Sequence, residues 1–190
     1  MRPPTFYRLA LSALVMGTSL GAAAQQKLLP AQSELRFTAR QMGVPVSGQF
    51  RKFDAQINFD SSKLPTSKVE LTIDMGSATL GSAEMDSELP KAPWFNVPKF
   101  PLARFSSTTI RALGSGKYEM LGSLSIKGQT QDVQVPLNMT QSGAVTVATG
   151  ALPIKRLRFK IGDGDWADTA MVADDVQVAF RFSLAGVPKL

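Results

Sequence analysis

Two residue types that carry much of protein chemistry, cysteine and histidine, are absent from the 190 residues of the chain. Without cysteine there is no disulfide and no thiolate nucleophile or metal ligand. Without histidine, the serine–histidine–aspartate triad, the cysteine–histidine pair and histidine-ligated metal sites are excluded. Acid–base catalysis would have to use a carboxylate or a lysine with a shifted pKa. We therefore expect a protein that is not an enzyme, with no catalytic residue, metal or cofactor.

A large excess of charge of one sign is also lacking. The chain has 21 Lys and Arg against 15 Asp and Glu, a net charge of +6. This excess is small and dispersed, whereas a nucleic-acid-binding surface needs a concentrated basic patch. We expect no nucleic-acid partner.

The first 24 residues have the layout of a secretory signal peptide. Arg2 and Arg8 charge its start, Leu9–Leu20 is mostly apolar, and small residues precede the expected cleavage after Ala24. The apolar run is shorter than the ~20 residues of a membrane span, and no cysteine follows that could carry a lipoprotein anchor. The sequence predicts export to the periplasm and one mature domain over residues 25–190.

Alternation of apolar and polar residues with a period of two runs through most of the mature chain, as expected of β-strands. It predicts strands around residues 34–39, 68–75, 118–126, 132–139, 156–161 and 175–184. Between Phe50 and Phe53 the alternation changes phase, which indicates a β-bulge in one bent strand or two strands with a short break. About eight antiparallel strands with one apolar face must close into a barrel or form a sandwich. An eight-stranded barrel is just wide enough for one small ligand.

One stretch departs from the strand pattern. Ser82–Leu89 is predicted to be a short helix capped by Ser82 and ended by a proline. A Pro-rich loop follows, in which Trp94 and Phe95 form either a lid on the barrel or a plug in it. The helix also carries Glu84, Asp86 and Glu88, which are either solvated charges or the carboxylates of a hydrolase.

Two charged segments have a functional and a plain interpretation. Arg156, Arg158 and Lys160 alternate with apolar residues, so a strand would turn them outward, towards a diphosphate, an anionic membrane or simply solvent. The segment that starts at Asp163 is rich in Asp and Gly, but it lacks the Gly and Glu that a calcium loop requires at its sixth and twelfth positions. We interpret it as a turn.

A series of spaced elements resembles the YceI-like family, bacterial periplasmic lipid-binding proteins with a lipocalin-like barrel. The resemblance covers roughly Ser33–Leu184. Its elements are Leu35-Arg36-Phe37, Val46-Ser47-Gly48-Gln49-Phe50 with Phe53, Trp94-Phe95, Phe100-Pro101, Phe105-Ser106-Ser107, Gly122–Thr130, Arg156–Phe159, Ile161-Gly162, Trp166 and Val176. It implies an all-β fold: an antiparallel, about eight-stranded lipocalin-like barrel with one short helix, a Pro-rich loop and an apolar tunnel.

The resemblance also implies the function. The expected protein holds a long isoprenoid-type lipid, a polyprenyl lipid or a quinone, for transport, storage or sequestration. The residues expected to contact it are Phe37, Phe50, Ile73, Trp94, Phe105, Tyr118, Leu124, Ile126, Phe159, Val178 and Phe180. The alternative for these side chains is that they fill the barrel centre.

Two details refine the resemblance. Trp94-Phe95 and the segment Gly162–Trp166 are similar to a subgroup found beside cytochrome b561-type membrane proteins. That implies a quinone-related ligand and, as an alternative function, an accessory protein of a membrane b-type cytochrome. Gln41-Met42 stands where many members have a His, and Glu84-Met85-Asp86 where many have an Arg-Asp pair. The family's headgroup contacts therefore do not carry over to these positions.

Overall fold

The structure is a computed structural model, and it describes residues 25–190. The predicted signal peptide and its cleavage after Ala24 lie outside the described residues. Within them, no helix has the length and apolar character that crossing a membrane requires.

The described chain consists mainly of β-strands. They are β1 (Lys27–Leu28), β2 (Glu34–Gln41), β3 (Val44–Phe50), β4 (Phe53–Asn58), β5 (Lys68–Asp74), β6 (Ala78–Thr79), β7 (Leu102–Gly114), β8 (Lys117–Ile126), β9 (Gln129–Ser142), β10 (Val145–Lys155) and β11 (Asp175–Ala185). The helix α1 spans Ala83–Glu88, and 3-10 turns span Pro30–Gln32, Leu64–Thr66, Met75–Ser77, Arg156–Phe159 and Gly164–Trp166.

The strands pair antiparallel in the order β4-β5-β7-β8-β9-β10-β11-β2-β3-β6, and β1 pairs with β11. β6 follows β5 through the turn Met75–Ser77, and it pairs with β3 while β5 pairs with β4. The segment from β3 to β4 therefore lies between β2 on one side and β5–β6 on the other, which curls the sheet into a barrel. With β3–β4 and β5–β6 each counted as one bent strand beside β2 and β7 to β11, the barrel has eight strands around its circumference, which confirms the predicted fold class.

The phase change between Phe50 and Phe53 marks the point where the barrel closes. β3 ends at Phe50 and β4 begins at Phe53. The backbone groups of the two residues between them form hydrogen bonds with the β5–β6 segment. Arg51 N donates to Ser77 O at 3.2 Å, and Lys52 O accepts from Asp74 N at 3.0 Å. Of the two interpretations, the structure has two strands with a short break, in a segment that bends.

Side-chain burial alternates along the strands as the sequence predicts. In β8 every second residue from Tyr118 to Ile126 is buried, and β9 shows the same alternation from Val135 to Met139. Because successive strand residues point to opposite faces, one face of nearly every strand lines the barrel interior.

The helix α1 forms where it is predicted, although the Ser82 side chain makes no capping hydrogen bond. Asp86 attaches the helix to the barrel wall instead. Its carboxylate accepts hydrogen bonds from Thr79 Oγ1 and from Leu80 N, both at 2.6 Å. These bonds, that of Thr79 first, lower the pKa of Asp86 below its ordinary value.

The strand predicted at residues 156–161 is wrong. Arg156–Phe159 is a 3-10 turn, and Lys160 ends it in the left-handed conformation with φ of 55°. Arg156 is only 1% exposed, so it does not face solvent as the alternation predicts, whereas Arg158 does. The alternation of charged and apolar residues was coincidental, because the segment is shaped by where the Arg156 guanidinium finds acceptors.

Arg156 organises the segment that follows it. All five N–H groups of its guanidinium donate to backbone carbonyls at 2.6–3.1 Å, those of Ile161, Gly162, Trp166, Val172 and Ala173. Burial lowers the pKa of Arg156, and the nearby carboxylate of Asp174 opposes that shift. The guanidinium therefore holds the loop between the 3-10 turn Arg156–Phe159 and β11 in one conformation.

Replacing Arg156 with Met tests this role. We expect the free energy of unfolding in urea to fall by about 2–5 kcal/mol, because buried carbonyls would lose their donors. Arg158→Met is the matched control, since Arg158 is exposed two residues away, and its effect should stay within about 0.5 kcal/mol. Equal stability of the two variants would contradict this role.

Candidate ligand-binding site

The barrel interior contains a cavity of about 340 Å³. This lies within the range of small-molecule sites, ~300–1,000 Å³. Side chains from β2 to β5 and β7 to β11 form its wall, and nearly all of them are apolar. The interior is thus not filled by its own side chains.

Ten of the eleven residues predicted to contact a ligand are brought together on this wall. They are Phe37, Phe50, Ile73, Trp94, Phe105, Tyr118, Leu124, Ile126, Val178 and Phe180. Contact with a ligand stays a prediction for each of them. Phe159 does not line the cavity: it is buried outside the barrel interior, beside Asp132 and Lys155, because the 3-10 turn points it away from the interior.

Sequence reasoning missed two kinds of lining residue. One kind shares a strand face with predicted residues: Leu35, Met120, Val135, Met139 and Phe182 are examples. Their phase in the alternation was a sufficient signal. Gln41, which ends β2 in phase with Phe37, belongs to this kind as well. The other kind comes from α1 and from loops, namely Met85, Glu88, Trp166 and Val172. No periodicity marks these residues, because their position depends on tertiary contacts.

Three glycines face large rings on the wall. Phe37 pairs with Gly48 across β2 and β3, and Phe180 pairs with Gly150 across β11 and β10. A Cβ on Gly150 would lie 2.5 Å from Phe180 Cζ, and a Cβ on Gly48 would collide with the Phe37 ring. Each ring therefore occupies the space where its partner has no side chain.

The third ring lies on a different part of the wall, between β7 and β8. A Cβ on Gly122 would come within 2.7 Å of Phe105 Cε2. Such close approaches use the missing side chain of glycine. With the rings laid against glycine on three separate strand pairs, the barrel centre stays open.

The cavity opens at one end of the barrel. Of its lining residues, Gln41, Met85 and Glu88 are exposed, and all others are buried or partly buried. Gln41 ends β2, and the other two lie on α1. We call this opening the mouth: it lies between α1, the β2–β3 turn and the loop that contains Val172, which bridges to Gln41.

Two loops meet beside the mouth. The rings of Trp94 and Trp166, one from each loop, lie 5.3 Å apart and both line the cavity. The buried Lys127 joins the loops, since its Nζ donates to Pro93 O at 3.0 Å and to Asp163 Oδ2 at 3.2 Å. Phe95 is buried beside Phe50. Trp94 thus lies at the opening, whereas Phe95 packs inside.

The opposite end of the barrel is closed. Tyr118 lies near the start of β8, at the opposite end of that strand from Lys127, and its ring meets the Phe59 ring edge-on with 5.3 Å between centroids. The Gln26 side chain bonds to both N and O of Phe59 at 2.9 Å. In the described part of the chain, a ligand therefore reaches the cavity through the mouth.

Two charged residues line the cavity within the described part of the chain, Arg156 and Glu88. The donors of Arg156 are all used by backbone carbonyls. The Glu88 carboxylate pairs with Lys91 at the surface, while Asp86 is occupied by Thr79 and Leu80. No two of the three helix carboxylates face one cleft, as a hydrolase would require. Asp86 is hydrogen-bonded to the barrel wall, and Glu84 is exposed and does not line the cavity.

Solved structures with this architecture include BcnA of Burkholderia cenocepacia. It is 38% identical, with a TM-score of 0.80 over 82% of this chain and 98% of that chain. Two more distant structures share the fold. A YceI protein of Campylobacter jejuni is 22% identical, with a TM-score of 0.66 over 73% of this chain and 83% of that chain. A polyisoprenoid-binding domain from Saccharophagus degradans is 16% identical, with a TM-score of 0.69 over 85% of this chain and 98% of that chain.

Sequence comparison gives the family. A UPF0312 protein of Photorhabdus laumondii is 30% identical over 171 residues, 84% of this chain and 88% of the relative. One of Shewanella denitrificans is 32% identical over 114 residues, and this match spans only 60% of either protein. The YceI-like domain profile matches residues 27–184, the whole barrel from β1 to near the end of β11. The chain therefore belongs to the YceI-like family.

Proposed function

We propose that this protein binds one long apolar chain of isoprenoid type inside its barrel and acts as a carrier or store of it, not as an enzyme. The observation that carries the proposal is the apolar cavity with one opening. Burial of apolar surface contributes ~25 cal/mol per Å², so a chain burying several hundred Å² binds with micromolar affinity or tighter after ordering costs. The polyisoprenoid-binding domain of S. degradans, which has the same fold, supports the ligand class.

The charges at the cavity favour a neutral headgroup, such as a quinone or a prenol, over a phosphate. A phosphate needs free donors or a cation, and the only cationic lining residue of the described chain, Arg156, has no donor left. Glu88 adds negative charge at the mouth, which Lys91 offsets. Gln41, whose amide both donates and accepts, suits a neutral polar group.

We also propose that the mature protein works in the periplasm. The charge and apolar pattern of residues 1–24 supports export. In that compartment, a protein without cysteine does not depend on disulfide formation to fold.

Ligand extraction tests the proposal. Organic extraction of the purified protein, followed by mass spectrometry, should yield an isoprenoid lipid. Ligand-free protein should then bind a prenylquinone and a polyprenol at least about tenfold more tightly than the polyprenyl phosphate of equal chain length, a difference of ~1.4 kcal/mol. Protein that carries no lipid and takes up none of the three would contradict the binding function.

The phosphate arm has its own control. If the phosphate binds as tightly as the neutral lipids, and Lys91→Ala removes that binding, the headgroup preference is wrong while the apolar site stands. Glu88→Gln should raise the affinity for the polyprenyl phosphate towards that for the neutral lipids, because it removes the negative charge at the mouth.

A charge on the wall tests the position of the lipid. Phe180→Asp places a carboxylate beside Gly150 with no partner, so lipid binding should fall at least about tenfold. The barrel should stay folded, because the cavity admits water to the new charge. Bound lipid and the melting temperature are measured on one sample, with Arg181→Ala on the outer face as control.

The outcome against this prediction is equally clear. A Phe180→Asp protein that unfolds would show that the ring is needed as core packing. One that stays folded and binds lipid normally would place the ligand elsewhere.

A further inference from the structure

Exposed apolar side chains of the described chain concentrate at the mouth of the cavity. Six large apolar residues are exposed: Met42, Val44, Met85, Leu102, Leu113 and Met171. Four of these, Met42, Val44, Met85 and Met171, lie at or next to the mouth, and we call them the apolar rim. Scattered exposed apolar residues are ordinary, whereas a group at one site marks an interaction surface.

The tip of the β2–β3 turn is the most exposed part of the rim. Met42 is 72% exposed and adopts a left-handed backbone with φ of 49°, followed by Gly43 at 81°. Asn, Asp or Gly suits such a turn position better. Methionine there gains neither packing nor an easy backbone conformation, so the fold alone does not account for it.

Val44 continues the cavity wall outward. It lies two residues before Val46, which lines the cavity, and therefore on the same face of β3. It is 62% exposed. The apolar surface thus runs from the interior over the edge of the mouth without a polar break on this strand.

The other two rim residues come from separate parts of the chain. Met171 O accepts from Met42 N at 2.8 Å, which places the two residues side by side. Met85, on α1, both lines the cavity and is 40% exposed. The turn, the loop held by Arg156 and the helix therefore each bring apolar atoms to one opening.

We propose that the apolar rim docks on the surface of a lipid bilayer, with the mouth facing the membrane. This inference rests on the proposed function, since a ligand that is insoluble in water leaves the cavity without crossing water only if the mouth meets an apolar phase. The exposed surface of four side chains is far smaller than the ~800 Å² that each partner buries in a stable protein interface. Insertion into a bilayer requires no complementary surface.

The charges next to the rim indicate which bilayer it fits. Arg40 is exposed beside the turn, whereas Glu84 is exposed on α1 and Asp168 in the loop. This mixture gives no net attraction to anionic lipid. Docking should therefore occur on phosphatidylcholine vesicles and should not weaken at high salt.

Flotation with phosphatidylcholine vesicles tests docking without any ligand. The ligand-free mature protein should float with the vesicles, and Met42→Ser combined with Val44→Ser should reduce the bound fraction about tenfold. Leu113→Ser is the matched control, because Leu113 is 60% exposed near another hairpin tip, at the closed end of the barrel. It should float like the unchanged protein.

A transfer experiment gives a second measurement. Uptake of a prenylquinone from phosphatidylcholine vesicles should accelerate in proportion to vesicle concentration, and the double variant should slow it about tenfold. Its capacity for prenylquinone supplied in detergent should be unchanged. If the unchanged protein does not bind prenylquinone supplied in detergent, the proposed function is contradicted. The flotation experiment would still test docking separately.

Three results would overturn the docking proposal. The first is no flotation of the unchanged protein. The second is equal flotation of the double variant. The third is a protein dimer in solution that the double variant abolishes, since the rim would then contact a second copy of the chain.

Discussion

An apolar interior that is not filled by its own side chains is the constraint on which the rest of this structure depends. A cavity of about 340 Å³ deprives its wall of packing contacts, a loss of several kcal/mol at roughly 24 cal/mol per Å³. The packing of the wall itself must therefore keep the interior open. Rings such as Phe180 lie flat because glycine faces them. The same constraint explains why a bound apolar chain would stabilise the protein: it restores the contacts that the open centre lacks.

The open interior also requires a rigid mouth, because a loop free to collapse would fill the cavity. Arg156 and Lys127 supply that rigidity from buried positions, through hydrogen bonds to backbone carbonyls. A cation buried among carbonyls is stable only if all its donors are used, and Arg156 meets that condition. This has a chemical consequence, since a guanidinium that serves the fold no longer serves a ligand.

The sequence predicts those features of the structure that depend on neighbouring residues, and it misses those that depend on contacts between distant parts of the chain. The alternation in β8, from Tyr118 to Ile126, is a local property, and it correctly predicts the strand and its inward face. The segment around Arg156 has the same local pattern but a different structure, because its carbonyl partners reach to Ala173 and only the fold brings them together. Gly150 likewise looks like an ordinary weak point in a strand until Phe180 is found opposite. The family resemblance predicted an apolar space inside the barrel, and the structure has one, although it is closed at one end; periodicity alone favoured a barrel filled by its own side chains.

The headgroup preference and the apolar rim require each other. The closed end of the cavity, around Phe59 and Tyr118, is apolar, whereas Gln41 and Glu88 lie at the mouth. A lipid bound as we propose would therefore point its tail inward and its headgroup outward. On release through the mouth into a bilayer, the headgroup must enter the membrane first. Moving a phosphate into hydrocarbon carries a prohibitive desolvation energy, whereas a neutral headgroup passes with a small one. A phosphate carrier built on this fold would need a polar mouth and a cation with free donors on the cavity wall. In the described chain the rim of the mouth is apolar, and Arg156, the cation that lines the cavity, has all its donors bonded to backbone carbonyls.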